Sequence, residues 1–166
     1  RIPYLVVGGT SYFEHKEIKD LAAYLKIIAN PSDDLSLLRA AGAPKRGLGT
    51  SALALLSDFA KSSSLSLLDA FRKAREVPDL SQKAAASAEN LSGLIARYSD
   101  LFNKCGATGM GKLLQALIEE VGYRDYIMGL YKTPEAALKR VENMDGFIDS
   151  LSHYESAEES PSLHGF

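Results

Sequence analysis

Seven consecutive residues, Pro44-Lys45-Arg46-Gly47-Leu48-Gly49-Thr50, carry the most coherent chemistry in this sequence. Two glycines one residue apart precede a helix predicted to run from about Ser51 to Lys61, with Leu53, Leu56, Phe59 and Ala60 on one face. The first amides of a helix have no intrahelical acceptor, and glycine lets another group come close to the main chain. A phosphate fits such a place, and Lys45 and Arg46 set two cations beside it. Leu48, held between the glycines, is expected to pack inward and anchor the turn.

Other candidate chemistries fail on context. Gly106-Ala107-Thr108-Gly109-Met110-Gly111-Lys112 fits a nucleotide-phosphate loop through its lysine, but Leu113 stands where Ser or Thr should ligate magnesium. Such a loop must also follow a buried strand, whereas 98–104 reads as the end of a helix. The run is therefore predicted to be a C-cap glycine and an N-cap Thr108 between two helices. His15, His153 and His164 lie in separate elements without metal-binding spacing and are expected at the surface. Asp33-Asp34 suits the dipole of a helix start better than acid-base work. Cys105 has no nearby histidine to act as its base and reads as a helix-end thiol. The acids from Glu155 to Glu159 read as solvated loop charge. No catalytic residue and no metal ligand is assigned.

The elements that must position the Pro44–Thr50 loop are helices. With 166 residues, 46% hydrophobic and 24% charged, the chain has ordinary globular usage and enough length to bury a core, so one compact domain is the default. One cysteine cannot form an internal bridge and fits a reducing compartment. No apolar run approaches the length of a membrane span. Nineteen Lys plus Arg against twenty-one Asp plus Glu leaves a net charge of −2, so any anion binding must be local.

Ile2 to Val7 reads as a strand ended by Gly8-Gly9, and a lone strand implies that its partner lies elsewhere. The spacing predicts helices over Glu14 to Ala29, with Ile18, Leu21, Ala22, Leu25, Ile28 and Ala29 as its apolar stripe, and over Asp33 to Ala41, capped by Ser32. A short helix capped by Ser66 should end before Pro78, and a long one should run from about Leu80 towards Gly106. Further helices follow over Met110 to Val121, over Tyr123 to Leu130, and for about twenty residues from the Thr133-Pro134 start. The last should bury Leu138, Val141, Met144, Ile148 and Leu151, before an acidic, Ser-rich loop over Glu155 to Ser160. The fold class is mainly α: a compact multi-helix domain with a short N-terminal strand and one distinctive loop. A start at Arg1 and an apolar pattern opening at Leu163 suggest a piece of a larger protein.

The loop resembles the hairpin by which helix-hairpin-helix modules hold a duplex backbone without reading its bases. Around it, Ile2-Pro3-Tyr4, Val6-Val7-Gly8-Gly9, Tyr12-Phe13, Glu17-Ile18-Lys19-Asp20, Ala23-Tyr24-Leu25, Ala29-Asn30-Pro31 with Asp33-Asp34, and Pro44 to Gly49 resemble in order and spacing the UvrD/Rep/PcrA family of superfamily-one DNA helicases. The likeness is dense over Ile2 to Thr50, thin to about Thr133, and returns at Arg140-Val141-Glu142-Asn143. Three residues depart from the family pattern: His15 stands for an arginine, Gly42 for an asparagine and Leu48 for an isoleucine.

The resemblance implies the domain called 2B of an ATP-driven, three-prime to five-prime DNA translocase. Residues 1–9 would then be strand and hinge from the motor, 10–154 the helical domain, and 155–166 an acidic loop with the start of the next helix. It carries duplex contact over to Lys45, Arg46, Gly47, Leu48, Gly49 and Thr50, and the hinge to Gly8 and Gly9. The implied partners are the backbone of double-stranded DNA, engaged without regard to sequence, the motor domains of the same polypeptide, and repair or replication proteins, but no membrane. No cofactor is expected in this segment; ATP and magnesium would belong to the parent enzyme, in a bacterial, nucleoid-associated cytoplasmic setting. Lacking nucleotide, magnesium and arginine-finger motifs, the segment alone should hydrolyse nothing. The competing expectation is a helical protein-interaction module with no direct role on DNA.

Overall fold

The computed structural model of the chain describes residues 12–106 and 108–166. The strand expected over Ile2 to Val7 and the Gly8-Gly9 hinge lie outside the described residues. Among those described there are helices and their connections, as the mainly α class requires: α1 (Lys16–Ala29), α2 (Asp34–Gly42), α3 (Thr50–Ser62), α4 (Leu67–Arg72), a 3-10 turn (Ala74–Glu76), α5 (Gln82–Lys104), α6 (Met110–Val121), α7 (Tyr123–Leu130) and α8 (Pro134–Ala157).

These helices group into two compact units, one made of Ala23–Ser99 and the other of the residues before Ala23 together with Asp100–Phe166. In the Ala23–Ser99 unit the core is built from Tyr24, Ile27, Leu37, Leu56, Leu68, Phe71 and Ile95, all 2% exposed or less. Asp33, not Ser32, caps α2: its carboxylate accepts the Ser36 amide at 3.1 Å and the Ser36 hydroxyl at 2.8 Å. A carboxylate there adds charge to the cap, which the positive end of the helix favours over a hydroxyl. Ser66 caps α4 as expected, accepting the Asp69 amide at 3.0 Å, and Ser81 caps the start of α5 through the Ala84 amide at 3.1 Å.

In the other unit α6 and α8 pack closely. A Cβ added to Gly111 would collide with Ser152 Oγ and lie 3.2 Å from Ser152 Cβ. Thr133 caps α8 through the Ala136 amide at 3.2 Å. The helix runs to Ala157, so Glu155 is helical rather than part of an acidic loop, and only 158–160 of that stretch lie beyond it. Its buried face is Ala137, Met144, Phe147, Ile148, Leu151 and Tyr154, which includes the expected Met144, Ile148 and Leu151; of the expected stripe Val141 is half-buried and Leu138 is 51% exposed.

α1 departs most from a simple amphipathic pattern, because Glu17 and Asp20 are buried on it beside Ile18 and Leu21. Each has partners from far along the chain. Asn143 Nδ2 donates to Glu17 Oε2 at 2.7 Å, Lys16 Nζ pairs with Asp20 at 2.8 Å, and the Tyr123 hydroxyl donates to Asp20. Buried carboxylates need such donors, and hydrophobic periodicity cannot show them.

Candidate nucleic-acid interface

The connection from α2 to α3 leaves the helix at Ala43, passes a cis Ala43–Pro44 peptide, and turns at Gly47. Gly47 has φ +80°, a left-handed conformation that side-chain-bearing residues rarely adopt, so the turn itself calls for glycine. Gly49 is different. It is the N-cap of α3 with φ −80° and ψ −176°, an extended conformation open to any residue, and a Cβ there would meet nothing within 4 Å. Nothing within the described chain requires glycine at position 49; what its absent side chain leaves is exposed main chain.

The two ends of the loop are fixed from inside. Leu48 is 6% exposed and packs into the core, as its place between the glycines suggested. Arg46 is half-buried rather than free: its Nη2 donates to the Tyr24 hydroxyl at 2.6 Å, with the guanidinium 6.0 Å from the Tyr24 ring centre. That hydroxyl lies 2.8 Å from the Ala43 carbonyl and 3.2 Å from that of Ala40. Arg46 thus ties the loop to α1. Lys45, Gly47, Gly49 and Thr50 are exposed around it.

The N-terminus of α3 carries no side-chain cap and no acid in its first turn. The amides there keep their positive partial charge facing outward. Helices α2, α4, α5 and α8 have side-chain acceptors at their starts, as above, and α6 is covered by a carboxylate. Glu155, from α8, accepts the Met110 amide at 2.7 Å and the Gly111 amide at 3.4 Å. Thr108 is not the cap of α6; Gly109 is, at φ +100° with no side-chain bond, and the distant Glu155 supplies the acceptor. A side chain so remote in sequence left no local signal.

That carboxylate bears on the nucleotide question. The Gly106–Lys112 run follows the helical end of α5, the first amides of α6 within it are taken by Glu155, and Leu113 offers no hydroxyl. The residues present do not fit a nucleotide phosphate. Cys105 donates to Phe102 O at 3.3 Å, and burial, with the Glu155 charge adding to it, pushes its thiol up, away from the thiolate a nucleophile needs. Among the described residues no group of three His, Cys, Asp or Glu could hold a metal ion, and no helix is long and apolar enough to cross a membrane.

His15 is not simply a surface residue. Its Nδ1 lies 2.9 Å from Arg140 Nη1, and Arg140 Nη1 lies 3.8 Å from the buried Glu17. Arg140 and Asn143, the recurring Arg-x-Glu-Asn residues, thus meet Glu17 and His15 in one polar cluster that holds α8 to α1. Lys83 on α5 also lies beside the loop, although it is distant in sequence: a Cβ on Gly47 would lie 3.8 Å from Lys83 Cε. No spacing rule joins these positions.

Comparison with known proteins gives a consistent result. The sequence profile of the UvrD-like helicase C-terminal domain matches residues 1–165. The chain is 31% identical over 163 residues to the ATP-dependent DNA helicase PcrA of Bacillus subtilis, covering 98% of this chain and 21% of that protein. It is 34% identical over 162 residues to the ATP-dependent DNA helicase UvrD1 of Mycobacterium leprae, covering 96% and 20%. PcrA of Staphylococcus aureus is 34% identical over 154 residues, covering 93% and 20%. The chain therefore spans about a fifth of the length of these relatives.

Proposed function

Because this chain belongs to the UvrD-like helicase C-terminal domain family, we propose that it is the duplex-engaging accessory domain, 2B, of an ATP-dependent DNA helicase. On this reading the exposed amides at the start of α3 hold phosphates of the duplex ahead of the fork while the motor, elsewhere in the longer protein, pulls one strand with energy from ATP and magnesium bound there. Lys45 adds a mobile cation, and Gly47, Gly49 and Thr50 let the backbone come close. Arg46 and Leu48 fix the loop from behind. Gly8-Gly9 serves as the hinge to the motor, since adjacent glycines absorb backbone rotation.

The single observation that carries this reading is the N-terminus of α3: uncapped, without acid in its first turn, exposed, and set beside an exposed lysine. Such a site takes phosphate through main-chain donors and charge, which gives grip without base readout. Affinity should be weak and salt-sensitive, roughly 10⁻⁴ to 10⁻⁶ M or weaker for the chain by itself.

A second reading has its own support. Met128, Leu130 and Leu138 are exposed apolar side chains, and they suit a protein-interaction module better than a DNA site. Ionic strength separates the two, because phosphate binding falls steeply as salt rises whereas apolar burial does not. Titration of the chain with a blunt DNA duplex at low and rising salt is the test. The expected result is binding that weakens linearly in log-log form, with Lys45→Glu lowering affinity about tenfold or more and flattening the slope by about one to two. A Lys45→Glu chain that titrates like the parent would reject the assignment.

A further inference from the structure

We propose that Lys83, at the start of α5, is a second cationic arm of this interface and grips a further phosphate of the same duplex backbone. The inference rests on the α3 reading above and adds to it a residue that lies outside the α2–α3 loop.

Three observations converge on Lys83. Its stem reaches the loop: Lys83 Cε is 3.8 Å from where a Cβ of Gly47 would be, so the ammonium, one bond further on, sits beside the turn that opens α3. Both residues are exposed. Next, the charge has no partner. Among the described residues Lys83 makes no ion pair and no hydrogen bond, although other basic side chains of the same unit do: Arg72 pairs with Asp69 at 2.7 Å and Arg75 with Glu89 at 2.9 Å. Finally, the position is unfavourable for a cation. Lys83 lies in the first turn of a 23-residue helix, where the macrodipole favours acids, and that turn contains none.

A lysine held where neither an ion pair nor the helix dipole rewards it contributes little to folding. What it does supply is a point charge beside Gly47, in the loop that carries Lys45 and leads into the exposed main-chain donors of α3, and a phosphodiester is the ligand that satisfies both donor types. Peptide carboxylates would be drawn by the same charge, but Gly47 and Gly49 leave an open main-chain surface, which suits a continuous sugar-phosphate chain.

The test compares Lys83→Ala, Lys83→Arg and Lys45→Glu chains, with Lys61→Ala as a control at the far end of α3, about 16 Å along the helix. Each is titrated with a blunt DNA duplex across a salt series, and its melting temperature is measured. Lys83→Ala should weaken binding several-fold at low salt and flatten the log-log salt slope by about one, with no loss of melting temperature. Lys83→Arg should restore slope and affinity, and Lys61→Ala should change neither. If Lys45→Glu loses binding while Lys83→Ala keeps the parent slope, Lys83 is no phosphate ligand and the α3 site stands. If the parent itself shows no salt-dependent duplex binding, both the site and this extension of it fail.

Discussion

At the loop, Arg46 Nη2 donates to the Tyr24 hydroxyl at 2.6 Å, and that hydroxyl reaches the Ala43 carbonyl at 2.8 Å, so a buried tyrosine joins the start of the α2–α3 connection to its middle. In the proposed interface Arg46 therefore acts through geometry, by holding the loop, and Lys45 through charge. The distinction is measurable. Tyr24→Phe removes the shared hydroxyl and leaves buried polar groups unpaired, which should cost about 1–3 kcal/mol of stability. It should lower duplex affinity without altering the salt slope, since no charge is lost, whereas Lys45→Glu flattens that slope. A Tyr24→Phe chain with parental stability would show that the hydroxyl is no latch.

Two other tyrosines set a limit at alkaline pH. Burial, and then the Glu17 charge, pushes the Tyr12 phenol from 10.0 up to about 12; burial, and then the bond to Asp20, pushes Tyr123 up as well. The folded pKa values exceed the unfolded ones, so this contribution to stability is complete below pH 10 and is lost as pH rises from about 10 towards 12 and beyond. The melting temperature should decline over that range, and Tyr123→Phe should soften the decline. Ultraviolet titration in which all eight tyrosines ionise together near pH 10, with the fold intact, would contradict it.

Among the elements, the starts of α3 and α6 differ in whether a side chain takes their first amides. Glu155 covers the α6 amides, and Glu155→Ala should destabilise its unit by about 1 kcal/mol, as other lost helix caps do. The α6–α8 packing gives a sharper check. Gly111→Ala would place a methyl against Ser152 and should cost about 1–3 kcal/mol, as overpacking does, while Ser152→Ala in the same chain should recover much of that loss. Thermal melts of the single and double variants measure the coupling directly. Additive losses would mean that the helices do not meet at this glycine.

Most of the helices were legible because their boundaries carry local chemistry: Ser66 at α4, Thr133-Pro134 at α8, and Gly47-Leu48-Gly49 before α3. The failures share one cause. Glu155 at α6, Lys83 at Gly47, the Asn143 donor to Glu17 and the Tyr123 donor to Asp20 all come from remote parts of the chain, and a periodicity rule sees only neighbours. The exposure of Leu138 on α8 has a related origin, because it looks as apolar as Ala137 and only packing decides which of them is buried.

For the molecule as a whole, a net charge of −2 means that no general field draws it to DNA, so the proposed binding rests on one corner of the Ala23–Ser99 unit, where Lys45 and Lys83 stand without acid partners. The chain matches about a fifth of each helicase relative, and its one nucleotide-like loop is filled by its own carboxylate. ATP with magnesium should therefore leave its melting temperature unchanged, because a ligand that binds only the folded state would raise it. A two-dimensional amide spectrum of the isotopically labelled chain, recorded during titration with a short blunt duplex at low salt, reports contact with the α3 amides residue by residue. The largest shifts are expected at the Gly49, Thr50 and Ser51 amides, fading as salt is added. Shifts confined to the surface around Met128, Leu130 and Leu138, or none at the start of α3, would contradict it.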